Sequence, residues 1–530
     1  MRRFAAPSLA ATITVLAFLP SLSSGWTNFD DPMFLLGETG WRGLSVSNWT
    51  WAFSSRVGSV YQPLAWLTYG LDWTLWGMDP RGYHLQSVLW HAAAAALFCA
   101  AARELLKNEA GALLAALVFS LHPLRAESVS WIAERRDVVC GAFAAAAVLA
   151  YLRGSRPWTF TWLLLSLLAK GMTALLPAAL LALDYYPLRR IGPKGEGLYS
   201  ALREKLPLFA LSAVFLLAGV GVQERIRWTW EQHGLLARLA QACYALAFYV
   251  RKTLWPSDLA PLYELRPPLD PSEPRFLLSA AAVAAAAWAC WRLRRSRPWL
   301  AASAWWYAVL LAPVSGLAQF GPQLVADRYS YFTTWPLALL AGAALRSVTK
   351  GTGTFVTPSA ASKIFAGFIS LALIAALTAA GVMQQAVWRD SETLWARVLA
   401  LDPASATAHG SVGVIRAGEG RLAEAEAEFR LAIAAFPGCV DRQIRLAALI
   451  DAGDIGPERR ALARRVEIEP VCRKAYANVG AVRGQAGDLK AAREILKVAA
   501  TIDPGDMGAR LNLERAESAL KLSERPRRMR

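Results

Sequence analysis

The sequence predicts an all-α protein in two parts, a polytopic membrane helix bundle over residues 1–387 and a helical repeat array over 388–530. Three observations carry that prediction. Apolar residues make up 55% of the chain and charged ones 18%, with 22 Trp, a balance that suits a polytopic membrane protein and not a soluble domain. Apolar runs long enough to cross a bilayer, or nearly so, recur up to about residue 386. Beyond that point the composition turns to Ala/Glu/Arg-rich amphipathic helix, and Pro403, Pro437, Pro470 and Pro504 recur at spacings of 34, 33 and 34.

The apolar runs lie at about 7–23, 84–103, 109–122, 137–152, 157–169, 171–187, 206–222, 275–292, 298–314, 331–348 and 364–386, which predicts about eleven transmembrane helices. Met1-Arg2-Arg3 ahead of the first run reads as the start of an uncleaved membrane helix with its N-terminus in the cytoplasm. The net charge of +17 is spread between the runs, at 153–156, 189–194 and 292–297. That is the placement of the positive-inside rule, and it argues against nucleic acid as a partner. With these clusters and 346–363 in the cytoplasm, the segments 24–83, 122–136, 223–274 and 317–329, Lys170 and everything after 387 face the other side. Residues 238–256 do not fit as a further span and read as a re-entrant or interfacial helix. The 24–83 loop, with Trp41, Trp49, Trp51, Tyr61, Trp66, Tyr69, Trp73 and Trp76, predicts helices lying at headgroup level.

The proline period is that of a tetratricopeptide array. Counting back from Pro437 gives Gly413, Ala425, Phe429 and Ala432, and from Pro504 gives Gly480, Ala492, Leu496 and Ala499. The small residues admit close helix pairs and the proline ends each second helix. The middle repeat is degenerate, 388–403 supplies a lead-in helix, and 507–522 a basic closing one. Cys99, Cys140, Cys243, Cys290, Cys439 and Cys472 show no metal-like spacing. Cys439 and Cys472, one repeat apart, are expected to be unpaired.

Asp30 and Asp31 stand in Gly25-Trp26-Thr27-Asn28-Phe29-Asp30-Asp31-Pro32, just outside the first span. Asp-Asp-Pro is good turn chemistry. Its position at the mouth of a membrane domain favours a working role instead, because carboxylates are costly near lipid and adjacent ones raise each other's pKa toward that of a general base. A second constellation runs from His122 through Arg125, Glu127 and Glu134 to Arg136 and Asp137 on the same face. Its arginines suit phosphate, or else they pair with the local glutamates. Lys170, which could equally snorkel, and Asp327-Arg328-Tyr329 add outer-face cations. His84 and His91 share a helical face without further ligands and read as packed residues.

Phe29-Asp30-Asp31-Pro32, Tyr61-Gln62-Pro63-Leu64, Gly82-Tyr83-His84-Leu85, the 122–137 loop, Lys170, Pro177, Asp184-Tyr185-Tyr186-Pro187 and Ala326-Asp327-Arg328-Tyr329, in that order and with the repeat tail, resemble the transmembrane and tetratricopeptide-repeat O-mannosyltransferases, bacterial relatives above all. The resemblance implies a GT-C glycosyltransferase fold, a polyprenyl-phosphate sugar as donor, and a catalytic carboxylate in the first outer loop, hence on Asp30 or Asp31. The expected division of labour follows. One aspartate takes the proton of a hydroxyl acceptor, a protein Ser/Thr or a glycan held by the repeats. Arg125, Arg136, Lys170 and Arg328 hold the departing phosphate, and His122, Glu127, Asp137, Asp327 and Tyr329 support them. No metal or cofactor is called for, and a bacterial inner membrane with periplasmic repeats suits the composition. The competing reading is a non-catalytic membrane scaffold for envelope or secretion assembly. The repeats, about three with one degenerate, are fewer than in eukaryotic members.

Overall fold

The computed structural model describes residues 2–523 apart from 193, 223–229, 231–232, 267, 351–358, 454, 457, 460–461, 464–465 and 467–469. Parts of the 223–274 and 346–363 segments and of the middle repeat thus lie outside the described residues. The chain forms two compact units, Met1–Leu394 and Trp395–Arg530. The described structure is almost wholly helical, and the protein is an all-α integral membrane protein.

Each of the eleven apolar runs is a helix. Phe4–Ser23, Pro80–Leu106, Pro274–Leu293 and Ala360–Trp388 are long and apolar enough to cross a bilayer alone, and the bent pair Glu109–Ser120 with Pro123–Ser130 makes a fifth candidate. Only 6% of the most apolar window of Pro274–Leu293 and 11% of that of Ala360–Trp388 is buried within the protein. Faces as bare as those bearing Phe365, Phe368 and Leu371 are stable against hydrocarbon, not water.

Helix ends follow local chemistry. The Asp79 carboxylate accepts from the Arg81 N–H at 3.0 Å, with Pro80 at the first helical position, and the helix ends at Lys107 in a left-handed conformation (φ 50°). The Asn108 side chain then caps Glu109–Ser120 by accepting from the Gly111 N–H at 2.7 Å. Gly111 meets Gly342 of Trp335–Lys350 backbone to backbone: a Cβ on Gly342 would lie 2.2 Å from the Gly111 carbonyl. Small residues are what allow membrane helices to approach so closely. Alanines such as Ala95, Ala102, Ala116 and Ala145 fill the rest of the core around Phe98, Phe119, Tyr331 and Trp335.

Several aromatic residues of 24–83 pack inward: Trp41, Trp66 and Tyr69 are buried, packing on one another and on Trp51 and Trp73. Trp49 and Trp76 stay exposed, so the loop, with its helices Val46–Ser54 and Pro63–Trp76, has a small aromatic core of its own. The sequence also gave no sign of an antiparallel ribbon between Tyr263–Glu264 and Gln323–Val325. The run 238–256 is the amphipathic helix Leu235–Leu254, which buries Arg238, Gln241 and Lys252.

In the second unit the helices Ala406–Gly418 and Leu422–Ala434 pack together, as do Pro470–Gln485 and Leu489–Ile502, followed by Met507–Ser523. Gly413 lies against the Phe429 ring and Gly480 against Leu496, where an added Cβ would come within 2.6 and 2.9 Å. These are equivalent positions of the repeat. Pro403, Pro437 and Pro504 sit in turns, whereas Pro470 is the first residue of a helix, where its missing N–H costs nothing. Cys439 and Cys472 are disulfide-bonded, with Cα atoms 6.7 Å apart, contrary to the expectation of free thiols. The repeat that separates them by 33 residues also stacks their helices side by side.

Candidate active site

The two aspartates are held in different ways. Asp30 ends the turn 28–30, and its carbonyl accepts from the N–H groups of Met33 and Phe34, both at 3.0 Å. Pro32 then opens the helical turn Pro32–Leu36. Asp31 points inward and is saturated. Its Oδ2 accepts from the Thr27 N–H at 2.8 Å and the Thr27 hydroxyl at 3.1 Å. Its Oδ1 accepts from Trp131 Nε1 and the Ala133 N–H, each at 3.1 Å. Four donors occupy the four lone-pair positions of a carboxylate. Asp31 therefore latches the first outer loop onto the 122–137 loop. The carboxylate of Asp30 is half-buried and has no hydrogen-bond partner among the described residues.

Burial pushes Asp31 up to about 7, with the Thr27 and Ala133 donors pulling it back and the Asp30 charge adding to the rise. Burial also raises Asp30, and the charges of Arg136 and Arg328 partly offset it. Those cations belong to one cluster built around Glu134. Arg136 donates through Nε and Nη2 to Glu134 Oε2 at 3.1 and 2.7 Å, and through Nη1 to Gln62 at 3.2 Å. Lys170 pairs with Glu134 and, at 2.7 Å, with Asp137, which also accepts from Ser128 at 2.9 Å. Arg328 pairs with Glu127, donates its backbone N–H to the same carboxylate at 2.7 Å, and reaches within 4.0 Å of Glu134. Burial works to raise Glu134, but Arg136, Lys170 and Arg328 outweigh it and hold the acid well below its usual range.

The layering of this cluster decides what it can do. Side chains of Glu134 and Asp137 are 0% exposed and Glu127 2%, while Arg136 and Arg328 keep 10% and Lys170 18%. Acids thus form the floor and cations the accessible layer. Lys170 has spent two of its three N–H bonds and Arg136 three of its five on these partners, which leaves donors for an anion.

The remaining predicted residues fall into place around this core. The ribbon at Gln323–Val325 leads straight into Asp327-Arg328-Tyr329 and fixes them: Asp327 accepts from Tyr263 at 2.9 Å and the Tyr329 hydroxyl accepts from Gln323 at 2.7 Å. His122 caps its turn by accepting from the Leu124 N–H at 3.2 Å and meets the Thr253 carbonyl at 3.0 Å, a purely supporting geometry. Arg125 departs from expectation. Its guanidinium is 1% exposed, lies over the Phe119 and Tyr331 rings at 5.6 and 5.2 Å, and donates to Ser330. It joins none of the Glu134 pairs. Its Nε and Nη1 have no hydrogen-bond partner among the described residues, and burial pushes its pKa down to about 10.

Five residues take parts that the sequence reading did not assign. Glu134, named there only as one acid of the 122–137 constellation, is the hub. Trp131 supplies a bond to Asp31 and stacks on Trp388 at 5.4 Å, and Phe29 packs against both rings, at 4.8 and 6.4 Å. Arg389 and Ser391 hold the aspartate loop from behind, through the Gly25 and Asn28 N–H groups at 2.8 and 2.9 Å. Arg135 turns away from its neighbour to pair with Asp72, both wholly buried, and lies 4.6 Å over Tyr69.

A membrane helix bundle with a carboxylate and a bank of accessible cations just beyond its first candidate span defines the class: an all-α integral membrane protein with a polar cluster built at its helix ends. Its relatives are more specific. The chain is 31% identical over 152 residues to protein O-mannosyl-transferase tmtc2 of Xenopus laevis, 33% over 148 residues to TMTC2 of Homo sapiens, and 31% over 183 residues to Tmtc1 of Drosophila melanogaster. These stretches are 27%, 27% and 31% of this chain, and the chain spans only 18%, 18% and 21% of the respective relatives. No family model matches the sequence. The chain is related to the transmembrane and tetratricopeptide-repeat O-mannosyltransferase family.

Proposed function

We propose that the protein is a GT-C type glycosyltransferase that moves a hexose such as mannose from a polyprenyl-phosphate donor to a serine or threonine hydroxyl of a protein, on the non-cytoplasmic face of a bacterial inner membrane. The repeat unit, on the periplasmic side, recruits the acceptor. Asp30 is the base, since it alone of the pair has unspent acceptors. It takes the hydroxyl proton as the new bond to the sugar carbon forms and the bond from that carbon to the phosphate oxygen breaks. The sugar inverts and polyprenyl phosphate leaves. Arg136, Lys170 and Arg328 stabilise the charge that grows on the leaving phosphate, a contribution largest where water is scarce. Asp31 positions, and Arg125 packs the floor.

The observation that carries this reading is the layering of cations above buried acids beside an unbonded carboxylate. A scaffold gains nothing from leaving such groups unsatisfied. The test is transfer of radiolabelled mannose from polyprenyl-phosphate mannose to a Ser/Thr-rich peptide by the purified full chain. Wild type is expected to label the peptide and Asp30→Asn to fail. Full activity in the Asp30→Asn variant would sink the assignment of the base, and full activity in both the Asp30→Asn and Asp31→Asn variants would remove the aspartate pair from the chemistry altogether.

A further inference from the structure

Helices Pro80–Leu106, whose start is beside the candidate active site, and Trp335–Lys350 run along a second feature. At about 1.5 Å per residue the first of them carries it to the opposite side of the bundle. There a cavity of about 570 Å³ opens between them and the helices Arg135–Leu152, Leu176–Tyr185 and Pro298–Leu311. Its walls are apolar, with Phe98, Val148, Trp306 and Trp335 among them, and no carboxylate lines it. Arg297 and Arg346 also line it and are exposed, and among the described residues neither has an ion-pair partner. What marks these two guanidinium groups is their place, both on the lining of one oily hole that has no carboxylate.

An apolar cavity of this size is in the range of small-molecule sites, roughly 300–1,000 Å³. Its occupant must combine hydrocarbon with negative charge. The bilayer supplies that combination directly, and basic pockets between membrane helices on the cytoplasmic side bind anionic headgroups. We infer that this cavity holds an acyl chain of an anionic phospholipid from the surrounding bilayer, whose phosphate lies against Arg297 and Arg346. The site is separate from the sugar-transfer site and does not depend on that reading. Arg297 and Arg346 belong to the basic segments that the positive-inside rule puts in the cytoplasm, the side opposite Asp30.

Native mass spectrometry of the full chain in detergent, with phosphatidylglycerol and phosphatidylcholine of the same acyl chains, tests this. Wild type is expected to retain phosphatidylglycerol about twenty-fold more tightly, because two arginines act on a net negative headgroup whose charge the choline cation cancels in phosphatidylcholine. The Arg297→Gln/Arg346→Gln double variant should bind both lipids alike. Ala343→Phe, which fills the cavity and keeps both arginines, should lose phosphatidylglycerol as well. Equal retention of the two lipids by wild type overturns the inference. So does retention undiminished by Ala343→Phe, or displacement of the lipid by millimolar inorganic phosphate, since each removes the need for the cavity or for the charge.

Discussion

Around Asp184, Tyr151, Arg190 and Lys205 all donate to one carboxylate, and Asp184 and Lys205 are both wholly buried. Around Glu134 the acid is as deeply buried, yet Arg136, Lys170 and Arg328 stay within reach of solvent. Arg190, 40% exposed, leaves the first cluster open at its rim, but its central acid and cation are closed on each other, whereas the cations that meet Glu134 all keep some exposure. Buried charge alone therefore does not mark a working site in this bundle; donors and acceptors that are left over after the internal pairs are made and still reach solvent do. By that measure Asp30 and the cations near it are poised, and Asp184 with Lys205 is a rivet.

The contrast breaks most readily at Asp30. Asp30→Asn should lower turnover by a factor on the order of 10²–10⁴ and leave the thermal unfolding midpoint where it was. Next comes the closed cluster: Lys205→Met removes the wholly buried cation from Asp184 and leaves Tyr151 and Arg190 to satisfy it, which should destabilise the fold by roughly 1–3 kcal/mol, while transfer per folded molecule persists. Unchanged stability there would erase the distinction between the clusters. Asp31→Asn sits between the two. It turns an amide donor toward the donors of Thr27, Trp131 and Ala133 and should cost about 1–3 kcal/mol in a denaturant titration, with transfer falling in step.

Proton transfer sharpens the comparison further. Asp30 works as a base only when ionised, and its pKa is raised above the ordinary 3.8, so turnover should fall as the pH drops through that raised value. Arg136 draws that pKa downward, so Arg136→Gln should move the acidic limb of the pH–rate profile to higher pH, with a rate loss of about ten- to a hundred-fold. A limb that does not move would separate Arg136 from Asp30. The smallest effect belongs to the rim of the closed cluster. Arg156 pairs with Glu204 but is 75% exposed, and Arg156→Gln should change stability by less than about 0.5 kcal/mol.

Much of the helical framework was legible, because a run of apolar residues between basic clusters is a strong and local signal. The site was legible only as a neighbourhood. Arg135 and Arg136 are identical and adjacent, yet one is buried on Asp72 and the other opens onto Glu134. What separates them is an acid 63 residues earlier, which no local pattern encodes. Asp30 and Asp31 differ for the same reason: the bonds that commit Asp31 come from Trp131 and Ala133, 100 and 102 residues on. Arg125 shows the reverse error. It lies in a loop rich in charge, but its turn aims it between Phe119 and Tyr331, so its charge is spent on aromatic rings and Ser330. The paired Cys439 and Cys472 likewise depend on which faces the repeat helices present to each other.

The stacking of Trp388 on Trp131, with Arg389 and Ser391 gripping Gly25 and Asn28, has a practical side. A chain cut where the last apolar run fades, at residue 387, would keep every group assigned to chemistry and still lose the back wall of the loop that carries Asp30. The smallest piece that retains that wall runs through Leu394, where the first compact unit closes. Residues more than 350 positions downstream thus act as the keystone of a loop that begins the protein's second element, and a boundary drawn by hydropathy alone would leave it outside.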